Sequence, residues 1–161
     1  MISNKLKSLP ELKEIVLKLK SRNKKIITTN GVFDIIHVGH IRYLQKARAL
    51  GDVLIVGTNN DSSVKRIKGE SRPINSQENR AEVLSALESV DYVLIFNEDN
   101  PIKWLSEIKT DIHVKGGDYD ISRIIERDVV ESNGGKIVIL ENVHGISTSD
   151  IVRRIRGYRE L

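Results

Sequence analysis

Two histidines stand three residues apart, His37 and His40, at the end of Asn30-Gly31-Val32-Phe33-Asp34-Ile35-Ile36-His37-Val38-Gly39-His40. At the start of a helix this spacing points both rings to one side of the first turn. The free N–H groups and the positive dipole end of a helix N-terminus suit a phosphate. Gly31 lets backbone approach a ligand closely, and Gly39 leaves room beside the imidazoles. Asn30, Gly31, Val32, Phe33 and Gly39 are therefore expected to cradle a triphosphate, with His37 and His40 donating to its oxygens. Two unrelated histidines, one on the surface and one in the core, are the bland alternative. A zinc pair is a third option, but zinc needs a third and a fourth ligand. The chain has no cysteine, so only His113, His144 and carboxylates remain. No metal held by the protein itself is expected.

Other segments carry weaker signals. Ser147-Thr148-Ser149-Asp150 opens the last helical stretch, where a hydroxyl cluster is ordinary N-cap chemistry. Val114-Lys115-Gly116-Gly117-Asp118-Tyr119 reads as a glycine turn, or as a place where a nucleotide base lies against backbone. Lys68, Arg72 and Arg80 are either solvated charge or the cations that a phosphate dianion needs. Lys46, following His40 on the same helix, could reach a triphosphate. Asp34 and Asp118 could position substrate hydroxyls or a metal-bound phosphate, or serve as caps. His113 alternates within a strand and reads as structural, and Trp104 as helix packing.

These residues need elements to place them. Lys25–Thr29, Val53–Gly57, Tyr92–Phe96, Ile112–Lys115 and Lys136–Leu140 are short, Ile- and Val-rich runs, as buried parallel strands are. Helical patterns lie between them at Leu9–Lys20, His37–Leu50, Gln77–Glu88, Ile102–Ile108, Ser122–Ser132 and Ser147–Gly157. Gly51 and Gly134 stand where left-handed C-caps want glycine. Asn30–Val38, Thr58–Ser63, Asn97–Pro101, Lys115–Ile121 and Glu141–Thr148 read as the loops between. The alternation predicts an α/β, Rossmann-like three-layer sandwich with a five-stranded parallel sheet and an extra N-terminal helix. Residues 1–24 would form that helix, packed on a single domain of residues 25–161. Ligands of such sheets bind beyond the carboxyl ends of the strands, where the loops lie that carry the histidines and Lys115.

With 161 residues, 39 % apolar and 30 % charged, the chain has the balance of one globular domain. No run approaches the ~18 apolar residues of a membrane span, and Met1–Leu9 has no signal-peptide character. A cytoplasmic protein, with no membrane partner, is expected. The net charge of +4 suits an anionic small substrate. Aromatics are 4 %, which leaves little for base-stacking platforms, and nucleic acid is not expected as a partner.

The combination of Phe33-Asp34, His37-x-Gly39-His40 and Leu50-Gly51-Asp52 resembles the H-x-G-H nucleotidyltransferase superfamily, which includes the cytidylyltransferases. The likeness runs from about Lys25 to Ile155. In that family a GIST-[ST] element meets the phosphates. Here Gly145-Ile146-Ser147-Thr148-Ser149 matches it, with Ser149 where Thr is more usual and His144 beside it. KGGDY at 115–119, Asn59-Asn60-Asp61, Arg66-Ile67-Lys68-Gly69, Arg72-Pro73-Ile74-Asn75 and Arg80 with Val83-Leu84 look like the heptose-1-phosphate adenylyltransferases of lipopolysaccharide-core biosynthesis. The resemblance implies ATP, carried with Mg²⁺, and a sugar 1-phosphate as substrates, with no organic cofactor. It puts Lys46, Gly116, Gly117, Asp118, Ser147, Thr148 and Ser149 on the nucleotide. It puts Asp34, Asn59, Lys68, Arg72, Arg80 and Lys115 on the sugar phosphate, and His37 and His40 at the reacting phosphorus. A homodimer is implied too. A chain beginning at Met1 suggests a stand-alone transferase served by a pathway kinase on a separate chain. The alternatives are a glycerol-3-phosphate cytidylyltransferase, another small-phosphate nucleotidyltransferase, or a non-catalytic nucleotide-binding regulator.

Overall fold

The computed structural model describes residues 4–117, 120–141 and 147–157. Five strands form one all-parallel sheet: β1 (Ile26–Gly31), β2 (Val53–Asn59), β3 (Tyr92–Phe96), β4 (Ile112–Gly116) and β5 (Lys136–Leu140), in the order β3-β2-β1-β4-β5. Among the described residues seven helices accompany them: α1 (Leu9–Lys20), α2 (Val38–Arg48), α3 (Asp61–Lys68), α4 (Gln77–Ser85), α5 (Ile102–Glu107), α6 (Arg127–Ser132) and α7 (Thr148–Gly157). A short 3-10 turn spans Ile121–Arg123.

Strand alternation sends neighbouring residues to opposite faces, and both faces are covered. Ile26, Val53, Ile55, Leu94 and Phe96 pack with Leu12 and Val16 of α1, Trp104 and Leu105 of α5, and Val130 of α6. Ile27, Leu54, Val56, Val93, Ile112 and Val114 pack with Leu44 and Ala47 of α2 and with Ala81 and Leu84 of α4. This is the three-layer sandwich that the alternation predicts, and α1 shares its core. Lys5–Lys7 adds backbone hydrogen bonds to Val93 at the sheet edge.

Three details differ from the sequence reading. Residues 58–63 are not all loop: Asn60 caps α3 by accepting from the Ser63 N–H at 2.8 Å. Only Val64 and Ile67 are apolar in that helix, too few for the pattern to show. The stretch 122–132 is helical only at its ends, as the 3-10 turn and α6. Gly51 is not a left-handed cap, because α2 ends at Ala49 with ordinary right-handed backbone. A side chain at Gly51 would meet Ile27 at 2.7 Å and the Lys25 carbonyl at 2.9 Å, so packing is what requires glycine there. Gly134, by contrast, has the expected positive φ of 84°. Among the described residues no helix is long and apolar enough to cross a membrane.

The strand order reverses between β1 and β4. The chain proceeds outward from β1 to β2 and β3 on one side, and through β4 to β5 on the other. Beyond the carboxyl ends at such a switch point lies the crevice where open α/β sheets bind ligands.

Candidate active site

A cleft of about 380 Å³ opens at the carboxyl ends of the strands. Asn30–Asp34 from the loop after β1, His40 from α2, Asn59 from β2, Val64, Ile67 and Lys68 from α3, Arg72, Asp99, Lys115 from β4, and Thr148 and Ser149 from α7 line it.

The loop after β1 is held in an unusual shape. Phe33 has a φ of 50°, a left-handed conformation that costs a bulky residue about 1–3 kcal/mol. Its ring is only 6 % exposed and stands edge-on to His40, with centroids 5.3 Å apart. Gly31 makes this possible, since a Cβ there would sit 2.9 Å from the Phe33 ring. The Val32 carbonyl accepts from the Arg80 guanidinium at 2.7 Å and from the Thr58 hydroxyl at 3.1 Å.

His37 is the N-cap of α2, and its Nδ1 accepts from the Gly39 N–H at 3.2 Å. A ring nitrogen that accepts carries no proton, so in neutral His37 the proton is on Nε2, which is a donor. Gly39 therefore spends its amide on the cap. The His37 and His40 rings stack at a centroid distance of 3.9 Å. Burial lowers the pKa of His37. Burial, helped by the neighbouring His37, lowers that of His40 to about 4. Stacking two imidazolium ions would be repulsive, and both rings are neutral at pH 7. Among the described residues His40 Nδ1 has no hydrogen-bond partner.

The polar residues divide into those that face the cleft and those that build it. Arg80 is 1 % exposed, and all five of its N–H groups are used inside the protein. Nε donates to the Asn75 carbonyl, Nη1 to the Val32 carbonyl and Thr58 Oγ1, and Nη2 to the Asn59 carbonyl and Asp61 Oδ1. The expected phosphate contact is replaced by a structural tie, and Arg80 does not line the cleft. Asp34 is likewise engaged. Its carboxylate accepts from the Ile74 and Asn75 backbone N–H groups at 2.9 Å and from Arg72 Nη1 at 2.7 Å. With its side chain 5 % exposed, it clamps the 72–75 turn and orients Arg72 rather than offering free oxygens to a substrate. Asn59 donates to Ser63 Oγ and to the Glu98 carbonyl, yet still borders the cleft.

Lys68 and Arg72 line the cleft. Lys46 does not: it is exposed, in the last turn of α2, away from the lining residues. The Ser/Thr cluster separates by function. Ser147 is exposed and caps α7, accepting from the Asp150 N–H at 3.1 Å, whereas Thr148 and Ser149 line the cleft. Thr148 also donates to the Ile35 carbonyl at 3.4 Å. Gly116 ends β4 beside Leu140 of β5, and Gly117 follows with φ 127°, donating to the Leu140 carbonyl at 3.0 Å. Asp118 and His144 lie outside the described residues.

The family profile described as cytidylyltransferase-like matches residues 28–154. The chain belongs to the cytidylyltransferase-like family. It is 49 % identical over 152 residues to the bifunctional protein HldE of Citrifermentans bemidjiense, covering 94 % of this chain and 31 % of that protein. It is 51 % identical over 153 residues to the bifunctional protein HldE of Campylobacter concisus, covering 95 % and 31 %. The chain thus spans about a third of the length of these curated relatives. The crystal structure of the lipopolysaccharide core biosynthesis protein from Thermoplasma volcanium aligns with a TM-score of 0.63 at 30 % identity, over 76 % of this chain and 99 % of that one. The pantoate-β-alanine ligase of Francisella tularensis shares the fold, with a TM-score of 0.64 at 15 % identity, over 94 % of this chain and 76 % of that one.

For a cytidylyltransferase-like chain, two polar residues near the cleft were missed in the sequence. Glu126 is 2 % exposed, with Oε1 2.6 Å from the Lys115 ammonium and 3.5 Å from His113 Nε2. Asp99 joins the lining through its pair with Arg66 at 2.7 Å. Neither stands in a motif; each is brought in by a loop or helix from another strand. His113 is structural as expected, fully buried and pushed to a lower pKa by that burial.

Proposed function

We propose that this chain transfers the adenylyl group of Mg·ATP to a heptose 1-phosphate, forming ADP-heptose and pyrophosphate. The observation that carries the reading is the neutral His40 ring, which is stacked on His37 and lines one cleft with the strained Gly31–Phe33 loop, Thr148, Ser149, Lys68 and Arg72. Nucleotidyl transfer needs such a set: hydrogen-bond donors and cations around a phosphate, held in place before the substrate arrives. The choice of ATP and heptose rests on KGGDY, RPIN and the other motifs. It is supported by relatives named for lipopolysaccharide core biosynthesis and as HldE proteins.

The sugar-phosphate oxygen attacks the α-phosphorus, the bond to the β-phosphate oxygen breaks, and pyrophosphate leaves with the electron pair. The attacking oxygen is already ionised near neutral pH, so no protein nucleophile or strong base is required. His40, in the cleft, is the donor to oxygens that gain charge, and the stacked His37, whose Nε2 carries a proton, stands beside it. Arg72 and Lys68 meet the anionic substrates. Magnesium enters with the triphosphate as part of the substrate. The reading places the reaction in the cytoplasm. It calls for a sugar kinase, on another chain or elsewhere in a longer one, to supply the acceptor. It includes assembly as a homodimer.

The test is pyrophosphate release from each pairing of ATP or CTP with heptose 1-phosphate or glycerol 3-phosphate. Turnover confined to ATP with heptose 1-phosphate is the expected result. Turnover with CTP and glycerol 3-phosphate refutes the substrate assignment, and silence in all four from protein that binds ATP refutes the acceptor or the enzyme itself.

A further inference from the structure

Lys115 stands at the carboxyl end of β4, at the switch point, where it lines the cleft with its side chain 20 % exposed. A lysine in such a place is normally a mobile cation. This one is not. Its ammonium lies 2.6 Å from Glu126 Oε1 and 3.4 Å from Asn30 Oδ1.

Glu126 precedes α6 but does not cap it; its side chain turns inward and is 2 % exposed. A carboxylate so buried must keep a counter-charge. His113 Nε2 faces it at 3.5 Å, but burial lowers the pKa of that ring, so it is not the counter-charge. Thr110 spends its one hydroxyl proton on the Ile112 or Ile26 carbonyl, and Thr28 spends its own on Thr110. Thr28 Oγ1 lies 2.9 Å from His113 Nδ1. Among the described residues, the cation that remains for Glu126 is Lys115.

We propose that Glu126 is a positioning residue for nucleotidyl transfer: it fixes the Lys115 ammonium at the cleft wall so that the cation is in place for a substrate phosphate. This inference rests on the nucleotidyltransferase reading. The buried Thr110–Thr28–His113 chain is the backing against which Glu126 is set. A free lysine side chain loses its rotamer freedom when it is ordered; Glu126 orders it in advance, an effect of about tenfold in rate.

The test compares the wild type with Glu126→Gln, Glu126→Asp, Lys115→Met and the Lys115→Met/Glu126→Gln pair, with thermal melting to show that each is folded. Pyrophosphate release gives kcat, and calorimetric titration with Mg·ATP gives Kd. Glu126→Gln is expected to lose about tenfold in kcat. Its Kd for Mg·ATP should not weaken, because a repelling carboxylate has gone. Glu126→Asp keeps the charge but withdraws it by one methylene, and should lose rate as well. In the Lys115→Met background the Glu126→Gln change should cost nothing further in kcat. The pair removes both charges, so its folding does not depend on an orphaned carboxylate. Unchanged kcat in folded Glu126→Gln overturns the proposal, as does a loss that persists without Lys115. A wild type inert with every acceptor overturns the reading beneath it, which active wild type with an indifferent Glu126 would not.

Discussion

Arg80 tests how far motif resemblance can be carried onto chemistry. Its position suggests a phosphate-binding cation, yet in the structure it is a buried tie. The sharp perturbation is Arg80→Lys, which keeps the charge and removes the planar fork. The guanidinium serves five acceptors in three segments: Val32, then Thr58, Asn59 and Asp61, then Asn75. One ammonium can serve three at most. Val32 keeps its second donor, the Thr58 hydroxyl, and Asp61, 35 % exposed, can turn to water. With two charge-assisted bonds lost at about 1.5–3 kcal/mol each, the cost is about 3–4 kcal/mol after those replacements. For a chain of this size that lowers Tm by about 10 °C. Urea unfolding and a thermal melt measure it, and steady-state kinetics at a temperature where the variant is folded show what remains. The expected pattern is a large stability loss with kcat/KM reduced through the misplaced Val32 loop. A Tm within 2 °C of wild type, with KM for the sugar phosphate raised, would refute the reasoning and return Arg80 to the substrate, the ~2 °C being less than 1 kcal/mol here.

Other outcomes follow from the same geometry. His40→Ala should fold and lose ~10² or more in kcat, with little change in KM; near-normal turnover in folded protein would remove His40 from the reaction. Ser147→Ala should cost about 1 kcal/mol of stability through the α7 cap without altering the Kd for Mg·ATP, whereas Thr148→Val should weaken Mg·ATP binding with little effect on unfolding. The His40 imidazole should titrate near pH 4 by NMR rather than near its ordinary value of 6.5. Because its folded pKa is depressed, the unfolded chain takes up that proton first. Stability is then undiminished above about pH 6.5, falls as the pH drops from there to about 4, and levels off below. The decline is at most about 3 kcal/mol, less for solvent screening of a half-exposed ring. A urea midpoint flat from pH 7 to 4.5 would contradict it.

The sequence by itself determined the sheet and the histidine motif of the proposed reaction centre, because both are local. Five short Ile/Val runs can only be buried strands, and their period of two fills both faces with apolar side chains. His37-x-Gly39-His40 carries its geometry within a single helical turn, and Gly31 marks a close approach of backbone, although only the structure shows that the Phe33 ring makes it. Side-chain partners across the chain were another matter. Asp34 and Arg80 read as substrate groups because charge near a motif invites that reading. Tertiary structure decided that Arg72, Ile74 and Asn75 consume the one, and five acceptors from distant segments the other. Lys46 follows the motif by helix position, but the rise of α2 carries it away from the cleft. Glu126, 11 residues beyond Lys115 in a segment with no motif, became visible only when the α6 entrance was folded against β4. A spacing of three residues is fixed by backbone geometry, whereas an ion pair between two loops exists only after the sheet has brought them together.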